Sequence, residues 1–402
     1  MKHWSKIIGL FLVIMLTLGL AVGCGGGGEG EAEGEGEGTE QSGEAIKIGV
    51  NYELSGEVAT FGSHTRDGIL LAFEEINANG GVLGRQIEPI VRDNRGILDE
   101  SMSVATKLIT EDEIVAHLGA ATTGCSLAAV PVVTQYQIPL LTTSATNPDV
   151  TVDPASGETR EYVFRTCFID PPQAVVGADF AFNDLGAKKA AVYYDNTNDY
   201  SKGLAGEFKK SFEALGGEIV AEEGYGKDDE DFRPTLTSFS NAGADIIYVP
   251  GYYQKAAKIV SQARELGIDA PFLGGDGWDS PELVTIAGAE NLNSTYFTNH
   301  YSSQDPSEKV QGFVNAYNEK YGSVPDSFAA LGYDAAYLIA DAIDRAGSDE
   351  PEAIKDALAE TTDFAAVTGT LTFDELHNPV KEIAIIEMVD GEQVLKTKKA
   401  PK

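Results

Sequence analysis

The sequence has few of the residues on which many catalytic and structural chemistries depend. Its 402 residues include only three cysteines and five histidines. Three cysteines exclude a disulfide scaffold, and no group of cysteines and histidines has zinc-ligand spacing. The sequence contains no H-E-x-x-H motif, P-loop or G-x-S-x-G elbow, and no glycine-rich dinucleotide turn follows the first predicted strand. It therefore gives no support for catalysis, a metal site or a cofactor.

Basic residues are also scarce. The chain has 29 Lys and Arg against 63 Asp and Glu, a formal net charge of −34. Such a charge argues against nucleic acid or an anionic lipid surface as the main partner. A hydrophobic content of 43% is ample for buried cores. The chain length predicts two domains of ordinary size.

The N-terminus has the pattern of an export signal. Lys2 and Lys6 precede an uncharged stretch at 7–22, which is shorter than the roughly 20 residues that span a bilayer. The small residues before Cys24 resemble the lipobox of bacterial lipoproteins. We therefore predict a signal peptide at 1–23, a lipidated Cys24 and an extracytoplasmic, lipid-anchored protein. The alternative is an uncleaved membrane anchor.

A tether is predicted to follow. Residues 24–45 begin with Cys24 and are otherwise nearly all Gly and Glu, so they have almost no apolar area to bury. We expect a solvated linker that holds the folded part about one protein's breadth from the membrane.

From Ile46 onward, short apolar strands alternate with amphipathic helices. One series runs to about Thr143 and a second begins near Tyr162. Long strand–helix alternation predicts parallel sheets covered on both faces, so the fold class is α/β with two doubly wound lobes. The last hundred residues are mainly helical and are expected to complete these two lobes.

Polar loops follow several of the predicted strands, where open α/β sheets bind their ligands. Thr122 and Thr123 enter a helix, and we expect the free amide groups there to suit a carboxylate. Ser144 and Thr146 follow the next strand, and Asp276 lies among glycines in the second series. Hydroxyls facing an acid suit a zwitterion. The alternative for each loop is that it only turns the chain or caps a helix.

These residues resemble the type I periplasmic solute-binding proteins, in particular the branched-chain amino-acid receptors of ABC transporters. The similarity covers residues 46–402 and rests on the order and spacing of several motifs rather than on one. The motifs are Leu54-Ser55-Gly56 with Phe61-Gly62, Ile76 to Val82, Thr122-Thr123-Gly124, Ser144-Ala145-Thr146, Phe164-Arg165-Thr166 with Asp170, Gly251-Tyr252, and Gly275-Asp276-Gly277.

The resemblance implies two lobes joined by a hinge of three crossovers. Lobe 1 would comprise 46–166 and 299–369, and lobe 2 would comprise 167–298 and 370–402. It also implies a monomer that binds an amino acid, delivers it to ABC-transporter permease subunits, and needs no cofactor.

The resemblance also implies roles for individual residues. Thr122, Thr123 and Thr146 would hold the ligand carboxylate, while Ser144, Thr146 and Asp276 would hold its ammonium. The remaining candidates are Ala145 in the same loop, Phe61, Tyr200, Tyr252 and Phe328 around the ligand side chain, and Trp278 as a lid contact. For each aromatic residue, ordinary core packing is the alternative.

Several alternatives stay open. The ligand could be an amide, urea, a polyamine or an aromatic acid, although Asp276 favours a cationic or zwitterionic one. The chain could instead be an extracellular sensor or a degenerate enzyme. Cys125 and Cys167 could form a disulfide or remain two free thiols.

Overall fold

The computed structural model describes residues 43–400 of the chain. The predicted signal peptide at 1–23, Cys24 and nearly all of the tether therefore lie outside the described residues. Within 43–400, no helix is both long and apolar enough to cross a membrane.

Five parallel strands form the first sheet. They are β1 (Ile46–Tyr52), β2 (Ile87–Asp93), β3 (Ala116–Gly119), β4 (Leu140–Thr142) and β5 (Val163–Arg165). Their spatial order is β2-β1-β3-β4-β5. The helices between them are α1 (Ala59–Ala78), α2 (Leu98–Thr110) and α3 (Thr123–Tyr136). Nearly every residue of β1 is buried, as expected for a central parallel strand covered on both faces.

The second sheet has seven strands. Five are parallel: β6 (Lys189–Asp195), β7 (Glu218–Tyr225), β8 (Ile246–Val249), β9 (Phe272–Gly274) and β10 (Thr295–Asn299). Its helices are α4 (Asp170–Asp179), α5 (Asp199–Ala214), α6 (Arg233–Asn241), α7 (Tyr253–Glu265) and α8 (Pro281–Ala287).

Two further strands make this second sheet mixed rather than wholly parallel. β13 (Ile383–Val389) pairs antiparallel with β10, and β14 (Glu392–Lys399) pairs antiparallel with β13. The sequence did not predict β14, because its side chains are mostly polar. An edge strand is held through backbone hydrogen bonds on one side, so its side chains need not be apolar.

The remaining elements connect these two sheets. They are α9 (Glu308–Tyr321), α10 (Ser327–Ala346), α11 (Pro351–Ala359) and a hairpin of β11 (Phe364–Ala366) and β12 (Gly369–Leu371). Helix α10 packs tightly on α1, where a Cβ at Gly332 would lie 2.3 Å from the carbonyl oxygen of Thr65. The chain thus returns to the first lobe after β10 and leaves it again before β13, as predicted.

The two lobes touch directly beside the carboxyl ends of their strands. The Tyr253 hydroxyl donates to the carbonyl oxygen of Glu57 at 3.1 Å. The backbone N–H of Ser327 donates to Asp279 Oδ2 at 2.8 Å. One apolar cluster also includes Phe61 and residues of both sheets. The structure therefore has the lobes closed on each other.

Candidate functional site

A small cavity lies between the lobes, at the carboxyl ends of both sets of strands. The residues that line it are Phe61, Ala121, Thr122, Thr123, Ser144 and Phe328 from the first lobe, and Tyr200, Tyr252, Asp276 and Gly277 from the second. Its volume is about 10 Å³, enough for about one water molecule. A larger ligand would enter only when the lobes or the ring side chains move apart.

Most of the predicted site residues therefore share one cavity. The exceptions are Ala145, Thr146 and Trp278, which do not line it. Ala121 and Gly277 do line it, although the sequence did not single them out. Both are neighbours of predicted residues in the same turns.

The Thr122-Thr123 turn opens helix α3, but part of its hydrogen-bonding capacity is already occupied. The buried carboxylate of Glu53 accepts the backbone N–H groups of Ala121 at 3.1 Å and Thr122 at 3.0 Å. It also accepts the Thr122 hydroxyl at 2.7 Å. The expectation that these amides are free is therefore wrong, because Glu53, just after the end of β1, already accepts hydrogen bonds from them. Glu53 was not predicted from the sequence.

Thr123 differs from its neighbour. Its side-chain hydroxyl is buried and has no hydrogen-bond partner. Buried polar groups in folded proteins are nearly always hydrogen-bonded, so an unpartnered hydroxyl facing a cavity marks a place where a polar ligand would fit. The Thr123 hydroxyl is thus a donor on this wall that remains available to a ligand.

The turn after β4 supports the cavity from behind. The Ser144 hydroxyl donates to the carbonyl oxygen of Ala121 at 2.9 Å, which ties the two polar turns together. The carbonyl oxygens of Ala145 and Thr146 are occupied by the Arg165 guanidinium and the Asp170 N–H. These two carbonyl oxygens are therefore not available to a ligand, because α4 and β5 pack against the turn.

A buried acid, Asp170, lies beside this second turn. Its carboxylate lies beside the hydroxyl of Thr146, which is also buried. Burial raises the pKa of Asp170 to about 8, while the hydrogen bond from the Thr146 hydroxyl opposes the shift and the Asp276 charge adds to it. The sequence included Asp170 in a motif but gave it no role at the site.

Asp276 lies at the opposite wall, in a short turn directly after β9. Its Oδ1 accepts Gln173 Nε2 at 2.7 Å and the Tyr200 hydroxyl at 2.9 Å. Its Oδ2 lies 3.2 Å from His300 Nε2. Three groups thus hold the orientation of this carboxylate. Of these, only Tyr200 was predicted at the site.

Four aromatic rings surround the cavity in two stacked pairs. Phe61 stacks on Phe328 with ring centroids 4.1 Å apart. Tyr200 stacks on Tyr252 at 5.4 Å, and the edge contact of Phe61 with Tyr252 at 5.5 Å joins the pairs across the lobes. Phe61, Tyr200 and Phe328 are buried, Tyr252 is partly buried, and all four rings also line the cavity. The core-packing and ligand-facing interpretations therefore both apply.

Trp278 is not a lid contact, contrary to the prediction. Its ring is fully buried in the second lobe, and its Nε1–H donates to the carbonyl oxygen of Val249 at 3.0 Å. The short turn after β9 directs this ring back over Gly274, where a Cβ would lie 2.2 Å from the ring. Trp278 therefore supports the turn that bears Asp276 without facing the cavity.

Cys125 and Cys167 are two buried free thiols, which decides between the two possibilities that the sequence left open. Burial raises the pKa of both thiols, that of Cys167 to about 12. Although Cys125 lies near the start of α3, desolvation outweighs the effect of the helix terminus. Over residues 43–400, no cluster of three or more His, Cys, Asp or Glu side chains is arranged to hold a metal ion.

This fold and cavity define a class: two-lobed α/β binding proteins whose site is built from both lobes. Comparison with known proteins supports this class. A family model described as periplasmic binding protein matches residues 45–393. The leucine-, isoleucine-, valine-, threonine- and alanine-binding protein of Pseudomonas aeruginosa is 31% identical, covering 83% of this chain and 86% of its own.

Solved structures give the same result. A leucine-binding protein from Thermotoga maritima is 35% identical with a TM-score of 0.84, covering 89% of this chain and 99% of its own. A branched-chain amino acid transporter substrate-binding protein from Streptococcus pneumoniae, in complex with isoleucine, is 40% identical with a TM-score of 0.83 and the same coverage. The chain belongs to the periplasmic binding protein family.

Proposed function

We propose that this protein captures leucine, isoleucine or valine between its lobes and delivers it to an ABC importer. The relatives described above bear the names of branched-chain amino-acid-binding proteins. The observation that carries the proposal is the pairing of an unpartnered hydroxyl on one wall with an oriented carboxylate on the other. These are Thr123 and Asp276, both lining the same cavity.

The polar groups suit the two ends of a zwitterion. The ligand carboxylate would accept the hydroxyl of Thr123 at the start of α3, where the positive end of the helix dipole favours an anion. The ligand ammonium would face Asp276, which lines the cavity from the second lobe. A ligand that lacked either charge would leave a buried group unpaired, which costs about 1–3 kcal/mol.

The aromatic rings suit an aliphatic side chain. Phe61, Tyr252 and Phe328 lie against one another at the cavity and would separate to admit a branched carbon chain. Burial of that chain would contribute about 25 cal/mol for each Å² of apolar area. We assign no catalytic step, because among residues 43–400 both cysteines that could act as nucleophiles are buried with raised pKa values.

Capture would proceed by closure of the lobes. A ligand favours the closed state only through contacts that the open state does not make, and a zwitterion held by both walls makes them. We place lobe 1 at 46–166 and 299–369 and lobe 2 at 167–298 and 370–402. The strands of the first sheet and most of those of the second lie within these bounds.

We further propose that the chain acts as a monomer outside the cytoplasm. Both walls of the cavity come from the same chain, so no second copy is needed to complete it. Lipidation of Cys24 and the acidic tether would hold it near the membrane, where the closed form docks on permease subunits.

Isothermal titration calorimetry with the twenty amino acids, urea, benzoate and putrescine tests the ligand. We expect Leu, Ile or Val to bind with a Kd of about 1 µM or tighter, about −8 kcal/mol. D-leucine is the matched control, because it has the same groups in mirror-image arrangement, and it should bind much more weakly. Heat with only benzoate, urea or putrescine would contradict the assignment.

A further inference from the structure

A buried histidine lies directly behind the acid of the cavity. The His300 side chain is only 1% exposed, and its Nε2 lies 3.2 Å from Asp276 Oδ2. Its ring stacks on Phe168 with centroids 3.7 Å apart. His300 follows β10 and Phe168 follows β5, so the stacked pair lies where two of the crossovers between lobes meet. The acid of the cavity is thereby linked to the hinge.

The surroundings of His300 define its protonation state. Asp276 can only accept, so the proton of a neutral ring lies on Nε2. Nδ1 is buried and has no hydrogen-bond partner. Burial lowers the pKa of His300 below its usual value, and the nearby Lys381 ammonium lowers it further, although Asp276 opposes both effects. His300 is therefore neutral near pH 7, and the charge of Asp276 is not cancelled.

The two oxygens of Asp276 are not equivalent. Oδ1 already accepts from Gln173 and Tyr200, whereas Oδ2 has the single contact with His300. A carboxylate oxygen has about two acceptor positions, so Oδ2 retains one for a ligand. The imidazole thus sets the direction of the oxygen that is left for an incoming cation.

We propose that His300 is a positioning residue that aims Asp276 Oδ2 at the ligand and makes ligand capture depend on proton concentration. Neutral His300 leaves the negative charge of Asp276 to a cationic group, whereas protonated His300 pairs with Asp276 and competes with that group. This inference rests on the proposed function in one respect: the ligand carries an ammonium group.

A second cavity borders His300 and shares no lining residue with the cavity between the lobes. This cavity, of about 420 Å³, lies at the hinge, and Lys381 and Thr368 of the third crossover also line it. This cavity is far larger than the one between the lobes.

Other ionisable groups surround this pair and would also respond to pH. They are Asp170, Lys381, Arg165, Cys167 and Tyr200, together with Tyr301, Asp305, Glu382 and Lys398, which line the hinge cavity with His300. Burial raises the pKa of Asp170 to about 8 and lowers that of Lys381 to about 8. A pH profile of the natural protein alone therefore does not isolate His300, and the test needs variants that keep all of these groups.

The experiment measures the Kd of leucine by calorimetry from pH 5 to pH 8. His300→Gln places an amide donor near the position of Nε2 but does not titrate, and His300→Phe keeps the stacked ring but has no donor. In the natural protein, leucine must displace a proton below the pKa of the unliganded His300. Below that pKa, the Kd for leucine should rise about tenfold for each unit by which the pH falls. This rise is in addition to any pH dependence that the natural protein and both variants share.

The two variants should differ from each other. His300→Gln should match the natural protein at pH 7.5 within about threefold and lose the additional acid slope, while His300→Phe should bind about tenfold more weakly at pH 7.5. Retention of the full acid slope in His300→Gln would overturn the inference. Equal affinity of His300→Phe and the natural protein at pH 7.5 would overturn it as well.

A second measurement separates this inference from the proposed function. The ring resonances of His300, identified by their absence in His300→Gln, are titrated by NMR in the unliganded protein. Their midpoint should lie below about 6.5 and fall further in Asp276→Asn. A midpoint at or above that value, or one unchanged in Asp276→Asn, would refute the pairing. Failure of every amino acid to bind the natural protein would instead refute the proposed function. The NMR titration would still test the pairing of His300 with Asp276.

Discussion

The two walls of the cavity use polar groups in opposite ways. On the first-lobe wall, the Thr123 hydroxyl is buried without a partner, while the acid behind it, Glu53, is saturated by the Ala121 and Thr122 donors. On the second-lobe wall, the acid itself faces the cavity, and its neighbours orient it. One wall therefore offers an unsatisfied donor, and the other offers an aimed charge.

This difference predicts unequal consequences of substitution. Removal of a hydroxyl donor costs one hydrogen bond to a charged ligand group. Removal of the carboxylate leaves the ligand cation without its counter-charge in a site that excludes water, which costs more. The second-lobe wall should therefore dominate affinity, and the first-lobe wall should contribute a smaller increment.

The largest effect is expected for Asp276→Ala. Loss of the counter-charge should weaken leucine binding by about 3 kcal/mol or more, about 100-fold in Kd. The measurement is calorimetry on folded protein. Asp228→Ala, which removes an exposed acid of the same lobe, is the matched control and should leave the Kd unchanged. If Asp276→Ala weakened leucine binding by less than about fivefold, the second-lobe wall would not contribute more affinity than the first-lobe wall.

A smaller effect is expected for Thr123→Val. Valine keeps the shape of threonine but has no hydroxyl, so leucine should bind about tenfold more weakly. Thr123→Ser retains the donor and should remain within about threefold of the natural protein. If both variants lost affinity equally, the methyl group rather than the hydroxyl would be the important part of this side chain.

No effect on affinity is expected for Trp278→Phe. Its ring packs inside the second lobe and donates to Val249, so its replacement should lower stability by about 1–3 kcal/mol. Thermal denaturation should show a lower Tm, while calorimetry below the transition should give the same Kd for leucine. A large change in Kd without a change in Tm would restore Trp278 as a ligand contact.

The sequence placed the loops correctly for a simple physical reason. Parallel strands in a wound sheet have their carboxyl ends at one edge, so the turns at Thr122-Thr123 and Asp276 had to lie at the edges of their sheets. The rings of Phe61 and Phe328 also line the cavity, although only the resemblance to a known family singled them out. The local sequence pattern thus indicated where the cavity lies.

The supporting groups could not be predicted in the same way. Gln173 is 103 residues from Asp276 in sequence, and Glu53 is 69 residues from Thr122. Such contacts depend on how the helices pack against the two sheets. The periodicity of apolar residues in the sequence does not determine that packing. Trp278 shows the same limit, because the direction of its ring depends on the close approach to Gly274.

The most direct test compares leucine with 4-methylpentanoate, the same molecule without its ammonium, on the natural protein and on Asp276→Asn. If the two walls hold the two ends of a zwitterion, the natural protein should prefer leucine strongly. Asp276→Asn should lose about 100-fold in leucine affinity while its affinity for 4-methylpentanoate changes by less than about threefold. Equal losses for both ligands would contradict the account, because Asp276 would then not act on the ammonium.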